Sequence, residues 1–129
     1  MQNSNVLKRL RTRCLALPET TETAAWGHPN FKAGKRTFVA YEIVGGRPSI
    51  AFRLPQPDVD RLMTRAASAA SHLRLRKPFF ATPYGRGQWI SIWADGKLDW
   101  SMIEDLVDRA YRTVALKRMI AAIRTEASS

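Results

Sequence analysis

Cysteine is almost missing from this chain of 129 residues, where Cys14 stands alone. One thiol closes no internal disulfide and builds no cysteine-based zinc site, so the fold must rest on an apolar core. Long apolar runs are missing as well. Nothing approaches the ~20 consecutive apolar residues that a membrane-spanning helix needs. The stretch Met1 to Arg13 is charged and has no apolar segment leading to a small-residue cleavage site, so no secretory signal peptide is expected. Together with the lone thiol, these absences predict a cytoplasmic protein. Histidine occurs only as His28 and His72, neither with a cysteine or acid at ligand spacing, so no metal and no cofactor are expected. Acids are scarce too: eleven Asp and Glu face twenty-one Lys and Arg, a formal charge of +10. A field of that sign draws polyanions such as nucleic acid, acidic lipid or acidic protein.

What is present reads as globular, at 45% apolar and 25% charged residues. The length suits one domain, taken as residues 1–125 with a polar tail at 126–129. Residues 4–17 read as an amphipathic helix with Val6, Leu10, Cys14 and Leu17 on one stripe, stopped by Pro18. Its Lys8, Arg9, Arg11 and Arg13 fall largely outside that stripe and read either as a solvated face or as a contact for a polyanion. The segment 22–32, interrupted by Gly27 and Pro29, is expected to hold one irregular strand.

Strands follow at 35–44 and 49–54, joined by Gly45-Gly46, whose glycines reach positive φ without a Cβ clash. Pro57 opens a helix to about residue 67 that is expected to bury Val59, Leu62, Met63 and Ala66. The stretch 66–71 reads as a loop or fraying helix end, and 72–77 as a basic connector. Strands at 79–84 and 88–94 form a second hairpin. Asp99 or Ser101 caps a long helix carrying Ile103, Leu106, Val107, Ala110 and Val114 at helical spacing. A last piece, 116–123, continues that helix or packs after a bend. The order α-β3-α-β2-α predicts an α+β two-layer sandwich: a largely antiparallel sheet with helices on one face.

No catalytic constellation is legible. A Cys14–His28 nucleophile pair is opposed by the place of Cys14 on an apolar helical stripe. Asp95, Asp99, Asp105 and Asp108 suit a turn, a cap and a helix face better than a pair of catalytic carboxylates in a cleft. Gly85-Arg86-Gly87 is a hairpin turn and matches no phosphate loop. The chain is therefore expected to be non-enzymatic.

The candidate binding residues are basic. Lys32, Lys35 and Arg36 flank the entry to the first hairpin. Arg74, Arg76 and Lys77 precede the second, and Arg86 sits at its tip. Lys117 and Arg118 lie near the end of the last long helix, where cations also oppose the helix dipole. Such positions suit phosphate contacts along a nucleic acid. His28, in Trp26-Gly27-His28-Pro29, is either a hydrogen-bonded turn residue or a ligand contact. Trp89 and Trp93 lie four apart on one strand and so share a sheet face. Under helices they are core; on an open face they would stack bases.

Several runs carry a resemblance. They are Leu15 to Glu22 (LALPETTE), Trp26-Gly27-His28-Pro29, Phe31-Lys32, Gly34-Lys35, Phe38-Val39-Ala40, Pro83-Tyr84, Trp89-Ile90, Leu98-Asp99-Trp100 and Leu106 to Met119 (LVDRAYRTVALKRM). In this order they resemble the MmcQ/YjbR family of small bacterial proteins. The resemblance implies a two-layer α/β fold similar to secretion chaperones and a role commonly labelled DNA-binding. One departure stands out: the family's A-P-K-R has become Ala115-Leu116-Lys117-Arg118, which removes the proline that would force a bend. The expectation is a nucleic-acid-binding protein that contacts the phosphates of double-stranded DNA with little sequence readout. The alternatives are a protein-interaction or chaperone-like module, which predicts an exposed apolar patch or a homodimer, and a small-molecule-binding domain.

Overall fold

The structure, a computed structural model, describes residues 2–25, 27–73, 79–82 and 87–128. Helix α1 (Gln2–Leu15) leads into four strands, β1 (Thr20–Ala25), β2 (His28–Ala33), β3 (Arg36–Val44) and β4 (Arg47–Arg53). Helix α2 (Gln56–Leu73) follows, then β5 (Phe79–Ala81), β6 (Trp89–Trp93), α3 (Trp100–Val114) and α4 (Lys117–Ser128). The six strands form one antiparallel sheet in the order β1-β2-β3-β4-β6-β5. The α+β class stands as expected. Four strands rather than three precede α2, because the segment taken for one irregular strand is a hairpin.

That hairpin turns at Gly27, whose φ of +81° a residue with a Cβ adopts only under strain. Pro29 sits inside β2 opposite Ala24, and the ladder to β3 begins one residue later, at Asn30. Proline has no N–H to give to a ladder, so its position is tolerated where pairing starts. A register shift after Phe31 leaves Phe38 as an extra residue in β3. Phe38 meets Tyr111 of α3 edge-on, with ring centroids 5.6 Å apart.

The core forms where α3 and α1 lie on the sheet. Val39 and Tyr41 sit opposite Phe52 and Ile50, which in turn face Ile90 and Ile92 across β6. These side chains pack with Ile103, Leu106, Val107, Ala110, Tyr111 and Val114 of α3 and with Leu10 and Cys14 of α1. The stripe read from α1 is therefore core. Helix α2 lies against β5 and β6 and buries Val59, as predicted. It runs to Leu73, so the Ala/Ser stretch at 66–71 is helix and not loop; alanine's high helix propensity carries it.

At the C-terminal end the chain takes the bent alternative. Ala115 is extended, with φ −70° and ψ 149°, so the helix breaks without any proline. Tertiary contacts hold the bend. Met119 packs into the core beside Gly34, and Arg118 grips Glu19. The residues taken for a polar tail continue α4 as far as Ser128.

Candidate nucleic-acid interface

Antiparallel pairing places the β2–β3 turn and the β3–β4 turn at opposite ends of the sheet. Lys35 and Arg36 occupy the first of these, with Lys32 just before it on β2. They are thus at the tip of a hairpin of their own, remote from Gly45-Gly46. Gly34, with φ +62°, donates its N–H to the Glu19 carbonyl at 3.0 Å, which ties the turn to the corner after α1. A Cβ at Gly34 would lie 3.0 Å from Met119 Cε, so the turn also rests on the first turn of α4. Arg118 closes the group: its Nη2 and Nε donate to the two carboxylate oxygens of Glu19 at 2.8 and 3.2 Å. That bond holds the guanidinium above its ordinary pKa.

Three segments far apart in sequence therefore meet at one end of the sheet, and Lys35, Arg36 and Lys117 are exposed there. Among the described residues none of these three, nor Lys32, forms an ion pair. The nearby acid, Glu19, is taken by Arg118. The earlier structural explanation for Lys117 does not survive. It opens α4 and does not close α3, so it sits at the positive end of a helix dipole, where a cation gains nothing. Arg118 keeps a structural role through Glu19. Arg74, Arg76, Lys77 and Arg86 lie outside the described residues.

The sheet's other face carries the remaining candidates. In register, Asn30, Ala40, Ala51, Ser91 and Phe80 form one row, and Glu42, Ser49 and Trp93 the next. His28 extends the second row, its Nε2 3.7 Å from Glu42 Oε2. Glu42 is buried and His28 half-buried, with His28 Nδ1 shielded from water and without a hydrogen-bond partner. Sequence reasoning missed this pairing, because it depends on a β2 strand that Gly27 and Pro29 disguised.

Trp89 and Trp93 lie on this face too, half-buried and away from α1 and α3, whereas Ile90 and Ile92 point into the core. Trp93 stacks on Phe80 with centroids 4.2 Å apart, and the Arg47 guanidinium sits 3.9 Å from its centroid. Two planar groups so close to one ring must take its two sides, which leaves no free side for a base. Arg47 is further bound to Asp95 through its Nε and Nη2, which donate to the two carboxylate oxygens. Thus Arg47 at the β3–β4 end of the sheet is paired, in contrast to Lys35 and Arg36 at the β2–β3 end.

Nucleophile chemistry at Cys14 finds no support in the geometry. The thiol is fully buried, and burial pushes its pKa far above the ordinary cysteine range, so the thiolate is not available. No group of three or more His, Cys, Asp and Glu able to hold a metal occurs among the described residues. None of the described helices is long and apolar enough to cross a membrane.

Residues 15–113 match the family model named YjbR. The chain belongs to the YjbR family. The family's resemblance motifs from Leu15 to Trp100 thus fall inside the matched span, while Lys117 and Arg118 lie just beyond it. Among solved structures, a Deinococcus radiodurans protein with a DUF419 domain superposes with a TM-score of 0.65 at 19% identity, covering 93% of this chain and 86% of that one. A Pseudomonas syringae protein superposes with a TM-score of 0.50 at 13% identity, over 74% of this chain and 87% of its own. At such identities the likeness speaks for the fold alone. No curated protein sequence matches the chain.

Proposed function

We propose that this YjbR-family protein is a non-enzymatic binder of double-stranded DNA. It holds the phosphate backbone through the sheet end built by the β2–β3 turn and the start of α4. The observation that carries this reading is the meeting of Lys35, Arg36 and Lys117, all exposed and unpaired among the described residues, at a place from which the neighbouring acid has been withdrawn by Arg118. Three cations on a short turn and a helix start offer point contacts to phosphates and no element shaped to read base edges in a groove. Lys32 and the overall charge of +10 extend the same field. Arg74, Arg76, Lys77 and Arg86 add to the reading from the sequence. The ring of Trp93 does not, being covered on both sides.

The test is fluorescence anisotropy with a random-sequence duplex at several salt concentrations. The logarithm of the association constant should fall linearly with the logarithm of salt. Replacing Lys35, Arg36 and Lys117 together by glutamine should reduce that slope by about 2 to 3, since each phosphate contact contributes about 0.9. A slope unchanged in a variant with an unaltered melting temperature would remove this end of the sheet from the interface. No binding by the wild type at low salt would end the DNA reading itself.

A further inference from the structure

Helix α1 lies along β1 and touches α3, and a groove of about 480 Å³ opens on its outer side. Lys8, Arg9, Thr12 and Arg13 form one wall and Glu104 of α3 stands on the other. On the sequence alone these cations read as a solvated helix face or a polyanion contact. In the structure they line a concavity whose volume falls in the range of small-molecule sites. None of the three cations takes an acidic partner among the described residues. Several other cations do have acidic partners: Arg11 of the same helix with Glu22, Arg47 with Asp95, Arg109 with Asp105 and Arg112 with Asp108.

Two details distinguish this wall from an ordinary basic helix face. Arg13 is half-buried, with its Nε enclosed by protein, so the guanidinium is held in place and meets a ligand in the groove through its Nη groups. Arg9 is laid over the Trp100 ring, 4.5 Å from its centroid, which orients the guanidinium while leaving its N–H edge free. Thr12 is occupied, since its hydroxyl donates to the Lys8 carbonyl at 3.0 Å. Arg9 and Arg13 are one helical turn apart, about 6 Å along the axis.

We infer that this groove binds a small organic phosphate bearing hydroxyl groups, a sugar phosphate or a nucleotide. Guanidinium forks match phosphate oxygens in paired hydrogen bonds, and Lys8 adds a point charge. Glu104, half-buried and without an ion pair among the described residues, offers carboxylate acceptors. It repels a second anionic group and welcomes hydroxyl donors at the far end of the ligand. The site shares no residue with the proposed DNA interface.

Isothermal titration with ribose 5-phosphate, ADP, inorganic phosphate and ribose tests this directly. Ribose 5-phosphate or ADP should bind with Kd below about 1 mM, inorganic phosphate at least tenfold more weakly, and ribose not detectably. Arg13→Gln and, separately, Lys8→Gln should each weaken binding about tenfold. Glu104→Gln should narrow the preference for ribose 5-phosphate over inorganic phosphate. Lys8 is exposed and its side chain forms no bond among the described residues, so its variant keeps the test valid even where Arg13→Gln fails to fold. The inference is overturned by any of three results: no binding of either organic phosphate at millimolar concentration, affinities unchanged by Lys8→Gln, or inorganic phosphate binding as well as ribose 5-phosphate. Glutamine at Lys35, Arg36 and Lys117 should leave ribose 5-phosphate affinity unchanged. An equal loss there would mean diffuse charge attraction and would also overturn it.

Discussion

Burial of Cys14 has a thermodynamic consequence. Its pKa is raised by desolvation, with a smaller opposing effect from Arg13, so the folded thiol stays protonated where the unfolded one ionises. The unfolded state then binds fewer protons at alkaline pH, and stability must fall as pH rises through the ordinary thiol value of about 8.5. Below that value the contribution is fully present. Between pH 8.5 and 9.5 the wild type should lose about 1 kcal/mol relative to Cys14→Ala, as read from urea unfolding at each pH. Parallel curves for the two proteins would show that the thiol is not held neutral. Tyr111 offers a second residue-scale test. Its hydroxyl donates to the Pro18 carbonyl at 2.7 Å from a ring that is otherwise fully buried, pinning α3 to the corner after α1. Tyr111→Phe should cost about 1 kcal/mol in urea unfolding with the fold unchanged.

Among the elements, α3 has the most explicit start signal. Asp99 is extended, and its carboxylate accepts the Met102 N–H at 3.2 Å. Asp99→Ala should therefore lower stability by about 1 kcal/mol, measured as a fall in melting temperature. The neighbouring element teaches a different lesson. Nothing in Ala115-Leu116 stops a helix, yet α3 ends there because Gly34, Glu19 and the core beneath Met119 hold α4 in another direction. Gly34→Ala attacks that arrangement from the turn. A residue with a Cβ is strained at φ +62°, at about 1 kcal/mol, and Met119 must also move. Duplex affinity should drop with it, since Lys35 and Arg36 would no longer sit beside Lys117. An Ala variant that binds DNA as the wild type does would separate the turn from the interface.

At the scale of the whole molecule, charge is distributed unevenly. At the β3–β4 end of the sheet Arg47 is paired with Asp95, and α3 carries its Arg109 and Arg112 in pairs with Asp105 and Asp108. Among the described residues, cations without an acidic partner occur along α1 and around the β2–β3 turn, with Arg53 and Lys97 standing apart from both groups. A polyanion therefore meets one field with two local geometries, a projecting turn and a groove. The prediction at this scale is a strong salt dependence of duplex binding together with a weak one for ribose 5-phosphate, which neutralises far less charge. Equal dependence would mean that the two sites act as one.

The sequence by itself determined the class of the fold and most of its core. The stripe of α1, the alternation around Ile50 and Phe52, and the spacing in α3 are periodic signals, and burial follows period. It also determined the sign of the field, because charge adds up without reference to position. The tertiary structure decided the rest. Gly27 and Pro29 read as breaks, yet pairing with β1 and β3 supplied the hydrogen bonds that make β2 a strand. Trp89 and Trp93 were placed on a common face by alternation, but only the register shows which face that is and that Phe80 and Arg47 enclose Trp93. Lys35 and Lys117 stand more than eighty residues apart, and no local pattern encodes their proximity. Local periodicity reports which side of an element is apolar; which elements meet, and which charges they leave unpaired, is a property of the packed chain alone.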